Sequence, residues 1–465
     1  MVFSTPLFLF AYLPVVLLLY YLAPLKWRNF VLLLASLFFY FWGERIYTVI
    51  MLASTLVDYT HGMLVDRFKR AGNMKKARMA VASSMIFNLG ILFFFKYWDL
   101  IASGLQSLGL SFVPVLGIHL PIGISFYTFQ TMSYTVDVYR ADAKVQKNLI
   151  TFGTFVTLFP QLIAGPIIKY KELGEQLDQR TCTADRFAAG VLRFTVGLAK
   201  KLLLANNIGQ LWDICKGSSS LSVAGAWLGV LSFSLQIYFD FSGYSDMAIG
   251  LGKMFGFEFS ENFRYPYVAD SITDFWRRWH ISLSTWFREY LYIPLGGNRC
   301  SKAKWIRNLF LVWAATGIWH GASWNYLLWG LYYFVWLLAE KLFLGKLVNK
   351  LPGLFRRLYV IVILLVGWAI FALEDFGQLG RYLAVMFGLG GAPLFNPLAG
   401  YELRNYLAVL IVGILGSTPL AADLFRKLPE GCRTWARPVL LVLGLALCTA
   451  YLVAGTYNPF LYFRF

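Results

Sequence analysis

The sequence predicts an all-α polytopic integral membrane protein, and three observations carry that prediction. Of 465 residues, 58% are hydrophobic and 18% aromatic, above the roughly 45–50% apolar share of soluble domains. Only 14% are charged, against about 25% in soluble chains, and the mean hydropathy is +0.59. Apolar segments also follow one another with little relief along the whole chain. This balance excludes an ordinary cytosolic enzyme, a disordered chain and a small secreted scaffold. A spanning helix needs about 20 apolar residues, so this length allows about 11–16 membrane or re-entrant helices.

The apolar segments fall at roughly 6–23, 29–43, 46–64, 79–98, 149–168, 188–212, 224–251, 305–320, 324–343, 357–373, 405–425 and 438–456. The first lacks a basic leading region, so it reads as an uncleaved span rather than a signal peptide. Several segments are short or carry polar residues, as expected of elements that line a cavity or re-enter the membrane. Residues 113–135 mix Pro114, Gly117, Pro121 and Gly123 into an apolar stretch, which predicts a broken or re-entrant element. No linker rich in Gly, Ser or Pro splits the chain, and residues 1–465 read as one membrane domain.

The formal net charge is +18, from 42 Lys and Arg against 24 Asp and Glu. In a soluble protein this would suggest nucleic acid. Here it reads as Lys and Arg collected in cytoplasmic loops, with a basic mouth for an anionic substrate as the alternative, and no nucleic-acid partner is expected. Lys26 and Arg28 follow the first segment, and residues 66–78 hold Arg67, Lys69, Arg70, Lys75, Lys76 and Arg78 against Asp66. The loop at Glu44 and Arg45 between them is nearly neutral, which places the N-terminus outside.

The chain lacks G-x-S-x-G, H-E-x-x-H and a P-loop, which argues against serine hydrolase, zincin and ATPase chemistry. Its five cysteines include no C-x-x-C pair, so neither a metal nor a redox site is expected. Gly252 and Gly256 form a GxxxG, which reads as close helix packing.

Of the four histidines, His61 reads as interfacial and His119 as a pathway candidate or a structural hydrogen-bonding group. His280 lies in Trp276-Arg277-Arg278-Trp279-His280-Ile281-Ser282. On one helix, Trp276, Trp279, His280 and Leu283 would share a face. An interfacial helix explains the Trp and Arg but does not need a histidine on its apolar side. His320 lies between two apolar runs, in Gly317-Ile318-Trp319-His320-Gly321-Ala322. An ionisable residue at such depth is a functional candidate by default, with a buried structural imidazole as the alternative. Gly317 and Gly321 leave room beside it for a substrate or another backbone. A third block, Tyr238-Phe239-Asp240-Phe241-Ser242-Gly243-Tyr244-Ser245-Asp246, sets two carboxylates in an apolar span. Either they line a polar tunnel, with a helix break at Gly243, or each locks a neighbouring Arg or backbone group.

Together with Tyr290-Leu291-Tyr292-Ile293-Pro294-Leu295-Gly296-Gly297-Asn298-Arg299, these blocks resemble the membrane-bound O-acyltransferase family. Within it they are similar to the bacterial branch that acetylates alginate, peptidoglycan or cellulose. The opening Met1-Val2-Phe3-Ser4 and the closing Asn458-Pro459-Phe460-Leu461-Tyr462-Phe463-Arg464-Phe465 fit as well, so the likeness covers essentially the whole chain and is densest over 236–326. The resemblance implies a ring of tilted helices with a central tunnel, in the bacterial inner membrane. It implies His320 as the catalytic histidine, His280 as its second histidine, and no bound cofactor. The donor would be an acyl thioester, acetyl-CoA foremost, with a periplasmic esterase-like partner and a polymer synthase complex beside the chain.

The chain closes soon after its last apolar run, where the alginate members run longer, so the expectation is O-acetylation rather than alginate in particular. As chemistry, a neutral imidazole such as His320 can take the proton of an acceptor hydroxyl. His280 would polarise the thioester carbonyl, orient the substrate or pass the proton on. Arg277, Arg278, Arg288 and Arg299 would meet the donor phosphates, with membrane anchoring as the alternative role for some. Asp240, Tyr244, Asp246, Trp279 and Trp319 complete the expected donor and substrate contacts. A transporter or flippase that uses the histidines as a proton relay, or a non-catalytic scaffold, are the rival readings.

Overall fold

The structure, a computed structural model, describes residues 1–455 together with Asn458 and Leu461. Of the closing motif, Pro459, Phe460 and residues 462–465 lie outside the described residues. Among the described residues every regular element is helical and there is no strand. Seven helical stretches are long and apolar enough to cross a membrane, and Phe8–Leu22 is a shorter apolar helix. The chain is a multi-pass membrane protein.

In chain order the helices begin with α1 (Phe8–Leu22), α2 (Arg28–Glu44), α3 (Thr48–Arg70) and α4 (Met74–Ser107). They continue with α5 (Ile124–Arg140), α6 (Leu149–Thr157), α7 (Phe159–Leu162), α8 (Tyr170–Asp178) and α9 (Ala184–Ala199). Then come α10 (Asn206–Gly217), α11 (Val223–Met254), α12 (Ile272–Arg278), α13 (Ile281–Phe287), α14 (Lys302–His320) and α15 (Trp324–Ala339). The last are α16 (Gly345–Val348), α17 (Gly353–Ala372), α18 (Phe376–Met386), α19 (Pro397–Gly416), α20 (Leu420–Lys427) and α21 (Glu430–Ala454).

Most expected segments coincide with these helices, and the exceptions have local causes. Segment 149–168 breaks at Leu158, where Pro160 opens α7, because proline lacks the N–H that a continuing helix requires. Residues 113–123 are irregular, as the Pro and Gly spacing predicted, and Gly123, at φ +77°, turns the chain into α5. Helix α5 is buried along its whole length from Ile124 to Val138.

Two compact units divide the chain, one comprising residues 1–194 and 245–260, the other 195–244 and 261–465. The first packs an aromatic cluster in which Phe159 meets Tyr12 and Phe39 at ring-centroid distances of 5.4 and 5.5 Å. One buried polar cluster joins α3 and α4. Asp58 accepts from Asn88 Nδ2 at 2.8 Å and from Ser84 Oγ, and Asn88 Oδ1 in turn accepts from Ser54 Oγ at 3.1 Å. Buried polar groups satisfied in this way specify the packing of α3 on α4.

The second unit is built around a tryptophan core. Trp329 and Trp368 are almost wholly buried, and Trp276 packs edge-on against Trp329 and Tyr333. Close approach of α14 and α15 depends on two glycines. A side chain on Gly317 would strike the Tyr326 carbonyl, and one on Gly330 the Trp313 carbonyl. The space beside His320 is therefore taken by backbone at Gly317 and by the Tyr326 ring at Gly321. The GxxxG does not serve helix packing, which is a correction. Gly252 faces the Phe259 ring, and Gly256, at φ +84°, carries the chain out of α11. Helix packing in that stretch instead falls to Gly250, which abuts the backbone of Gly190 and Phe194.

Candidate active site

The expected single helix through the Trp-Arg-Arg-Trp-His block is two short helices. Helix α12 is capped by Ser271, whose side chain accepts from Asp274 N at 3.0 Å. Glu340 adds a carboxylate at the same end, accepting from Ile272 N at 2.7 Å and Thr273 N at 2.9 Å, which suits the positive end of a helix. After Arg278 the chain turns, and His280 adopts a left-handed backbone at φ +46° before α13 begins. This conformation is disfavoured for a residue with a Cβ and is enriched at functional sites. Asn262 holds the turn: Ile281 N donates to its carbonyl at 3.0 Å, and Ser282 N donates to its Oδ1 at 3.2 Å.

The break directs His280 into a cavity of about 950 Å³ that His320 also lines. Both rings are buried, 2% and 7% exposed. His280 sits against Phe241 at 4.7 Å between centroids. His320 sits between Trp329 at 5.0 Å and Phe371 at 5.1 Å. The Trp319 ring touches both imidazoles, 6.1 Å from His280 and 5.0 Å from His320. His280 lies outside the candidate spans, and burial holds its imidazole well below the ordinary range, so the ring is neutral.

Arg277, Arg288, Arg299 and Lys341 line the same cavity, and among the described residues no Asp or Glu lines it. Each of the four is exposed. The segment that carries Arg299 is pinned by the buried Asn308, whose Nδ2 donates to Leu295 O at 3.0 Å and to Gly297 O at 3.2 Å. A cavity with apolar walls, two buried imidazoles and a cationic mouth suits an anionic ligand with an apolar or reactive arm.

The remaining expected residues lie elsewhere. Trp279 lines the cavity, whereas Arg278 turns away and pairs with Asp274 at 2.9 Å. Helix α11 runs unbroken through Gly243, so the expected break is absent. Gly243 instead lets α11 approach the Gly197 carbonyl. Asp240 pairs with Lys201 at 2.6 Å and accepts from Leu461 N at 3.0 Å. Asp246 accepts from Arg193 Nε at 2.7 Å. Tyr244 is buried and does not line the cavity. The block thus follows the reading in which each carboxylate locks a neighbouring cation. His119 is exposed and stacks on Tyr47 at 6.3 Å. His61 bonds to Val57 O at 2.7 Å and Ser83 Oγ at 3.2 Å. Among the described residues no group of three His, Cys, Asp or Glu is placed to hold a metal ion.

The sequence reading missed Lys341, Asn262, Glu340 and Asn308. Lys341 left a signal, since a cation inside the apolar run 324–343 is a site candidate in its own right. Asn262, in the loop before α12, left none.

The sequence model of the membrane-bound O-acyltransferase family matches residues 70–372, which hold both histidines and the whole cavity lining. The chain belongs to the membrane-bound O-acyltransferase family. This acyltransferase is 38% identical to the probable alginate O-acetylase AlgI of Azotobacter vinelandii, with both chains covered in full. It is 46% identical to the probable alginate O-acetylase AlgI of Pseudomonas aeruginosa, over 84% of this chain and 75% of that one. It is 35% identical to the peptidoglycan O-acetyltransferase of Helicobacter pylori, over 85% of this chain and 81% of that one. The enzyme reading thus stands above the transporter and the scaffold.

Proposed function

We propose that this acyltransferase moves an acetyl group from a cytoplasmic thioester, acetyl-CoA foremost, to a hydroxyl, for O-acetylation of an extracytoplasmic polysaccharide at the bacterial inner membrane. The names of its relatives support a polymer of the alginate or peptidoglycan type as the acceptor. A periplasmic esterase-like partner would complete the transfer to the polymer, beside the polymer synthase complex. The observation that carries the reading is the cavity itself, in which two buried imidazoles share one space with Arg277, Arg288, Arg299 and Lys341 and, among the described residues, with no carboxylate.

In this mechanism the hydroxyl gives its proton to His320 as its oxygen attacks the thioester carbonyl. The C–S bond breaks, and the thiolate leaves as the free thiol after taking the proton back. Proton transfer by a positioned imidazole contributes about 10²–10⁴-fold. The donor phosphates sit at the cationic mouth, where Arg suits phosphate geometry, and the apolar walls exclude water from the thioester. His280 assists from the same cavity. The test is acetyl transfer by His320→Ala protein that keeps the wild-type unfolding temperature. The expected result is a loss of at least about 10²-fold, and undiminished transfer would sink the assignment.

A further inference from the structure

The cavity holds two imidazoles, and the surroundings of one of them define which nitrogen carries its proton. Ser282 N–H can only donate, and it reaches Asn262 Oδ1 at 3.2 Å. The amide oxygen of Asn262, rather than its nitrogen, therefore faces this corner. Ser282 Oγ donates to the same oxygen at 2.9 Å. His280 Nδ1 lies 3.2 Å from that oxygen. An amide oxygen has no hydrogen, so the contact is a hydrogen bond only with the proton on Nδ1. Asn262 is fully buried, and its own carbonyl is held by Ile281 N at 3.0 Å, so the oxygen is fixed in place.

We infer that Asn262 is a positioning residue for the transfer: it holds His280 in the Nδ1–H tautomer, so that Nε2 is the ring's hydrogen-bond acceptor. The inference rests on the proposed role of His280 in this cavity. It separates the roles open to that residue. Polarising a thioester carbonyl needs a donor on Nε2, which this neutral tautomer lacks. Accepting a proton, or orienting a hydroxyl by accepting its hydrogen bond, needs the lone pair it has. His280 then works on the hydroxyl side of the reaction, as His320 does.

Ser282 Oγ, whose own proton goes to Asn262 Oδ1, also lies 3.5 Å from Nδ1. Helix α11 presents Phe241, the loop before α12 presents Phe263, and α14 presents Trp319. Among the described residues, the charged or titratable groups that share its cavity are His320, Tyr292, Arg277, Arg288, Arg299 and Lys341. None of these is a carboxylate, so a carboxylate introduced at position 262 adds an anion beside the ring and raises its proton affinity.

The experiment follows acetyl transfer from acetyl-CoA, as a function of pH, in inverted membrane vesicles that carry the full chain. Asn262→Asp keeps an oxygen acceptor for Ser282 N–H and preserves the turn. A raised proton affinity leaves His280 charged to higher pH, so the acid limb of kcat moves upward by about one pH unit or more. Asn262→Ala lowers kcat about tenfold or more, with the KM for acetyl-CoA within about twofold. In a His280→Ala background, Asn262→Ala has no further effect, because both act through one ring. An unmoved acid limb in Asn262→Asp, or losses that add in the double variant, overturns the inference while an impaired His280→Ala leaves the site reading standing. His280→Ala at the wild-type rate overturns both.

Discussion

Asp240 and Asp246 on α11 each face a cation, whereas Arg277, Arg288, Arg299 and Lys341 share a cavity that no carboxylate among the described residues lines. Sequence alone ranks these groups alike, as charges set among apolar residues. Their surroundings separate them. A buried charge must be paired or hydrogen-bonded, and the Lys201–Asp240 pair, with side chains 1% and 3% exposed, meets that demand within the protein. The cavity cations are exposed at a mouth, so water meets the demand until a ligand replaces it. Paired charges hold helices together, while cations collected around an open space are available to an anion.

The comparison can be broken at several points. The largest effect is expected at the buried pair. Lys201→Met leaves Asp240 buried without its cation, which costs about 3–5 kcal/mol, whereas Lys201→Met with Asp240→Leu recovers most of that loss. Thermal unfolding of the detergent-solubilised chain measures it, and an equally unstable double variant would contradict the pairing account. The next effect is at the mouth. Arg288→Gln with Arg299→Gln is expected to raise the KM for acetyl-CoA about tenfold, roughly 1.4 kcal/mol, with kcat little changed. An unchanged KM would return these residues to membrane anchoring.

Smaller effects sharpen the contrast. Arg193 is 31% exposed on its side chain and Asp246 is 7% exposed. Solvent screening discounts that pair, so Arg193→Gln is expected to cost about 1 kcal/mol of stability and nothing in KM. The smallest effect is at Arg278, which forms a half-buried i,i+4 pair with Asp274. Arg278→Gln is expected to cost about 0.3–0.5 kcal/mol and to leave transfer unchanged. Equal losses of transfer in Arg277→Gln and Arg278→Gln would show that the two arginines are not distinguished by where the helix points them.

Much of the fold was legible because lipid leaves a coarse signature. Runs such as 324–343 and 357–373 are nearly free of charge, and both are spanning candidates in the structure. His320 was legible for the same reason, since an imidazole between two apolar runs has few structural excuses. The geometry around His280 was not. Helical periodicity put Trp276, Trp279, His280 and Leu283 on one face, yet the chain breaks between Arg278 and Ile281. No glycine or proline marks that break. It is held by Asn262, which lies 18 residues before His280.

By itself the sequence determined the class of the molecule, most of its helices, the family and the two histidines. Each of these depends on composition, on local periodicity or on side-chain chemistry at one position, which a linear chain records. Only the tertiary structure decided which charges are paired and which line the cavity, that Lys341 belongs with the arginines, and that Asn262 stands against His280. Pairing depends on distance in space. Residues such as Lys201 and Asp240, or Asn262 and His280, are brought to hydrogen-bonding range only when helices pack, and no local pattern encodes that meeting.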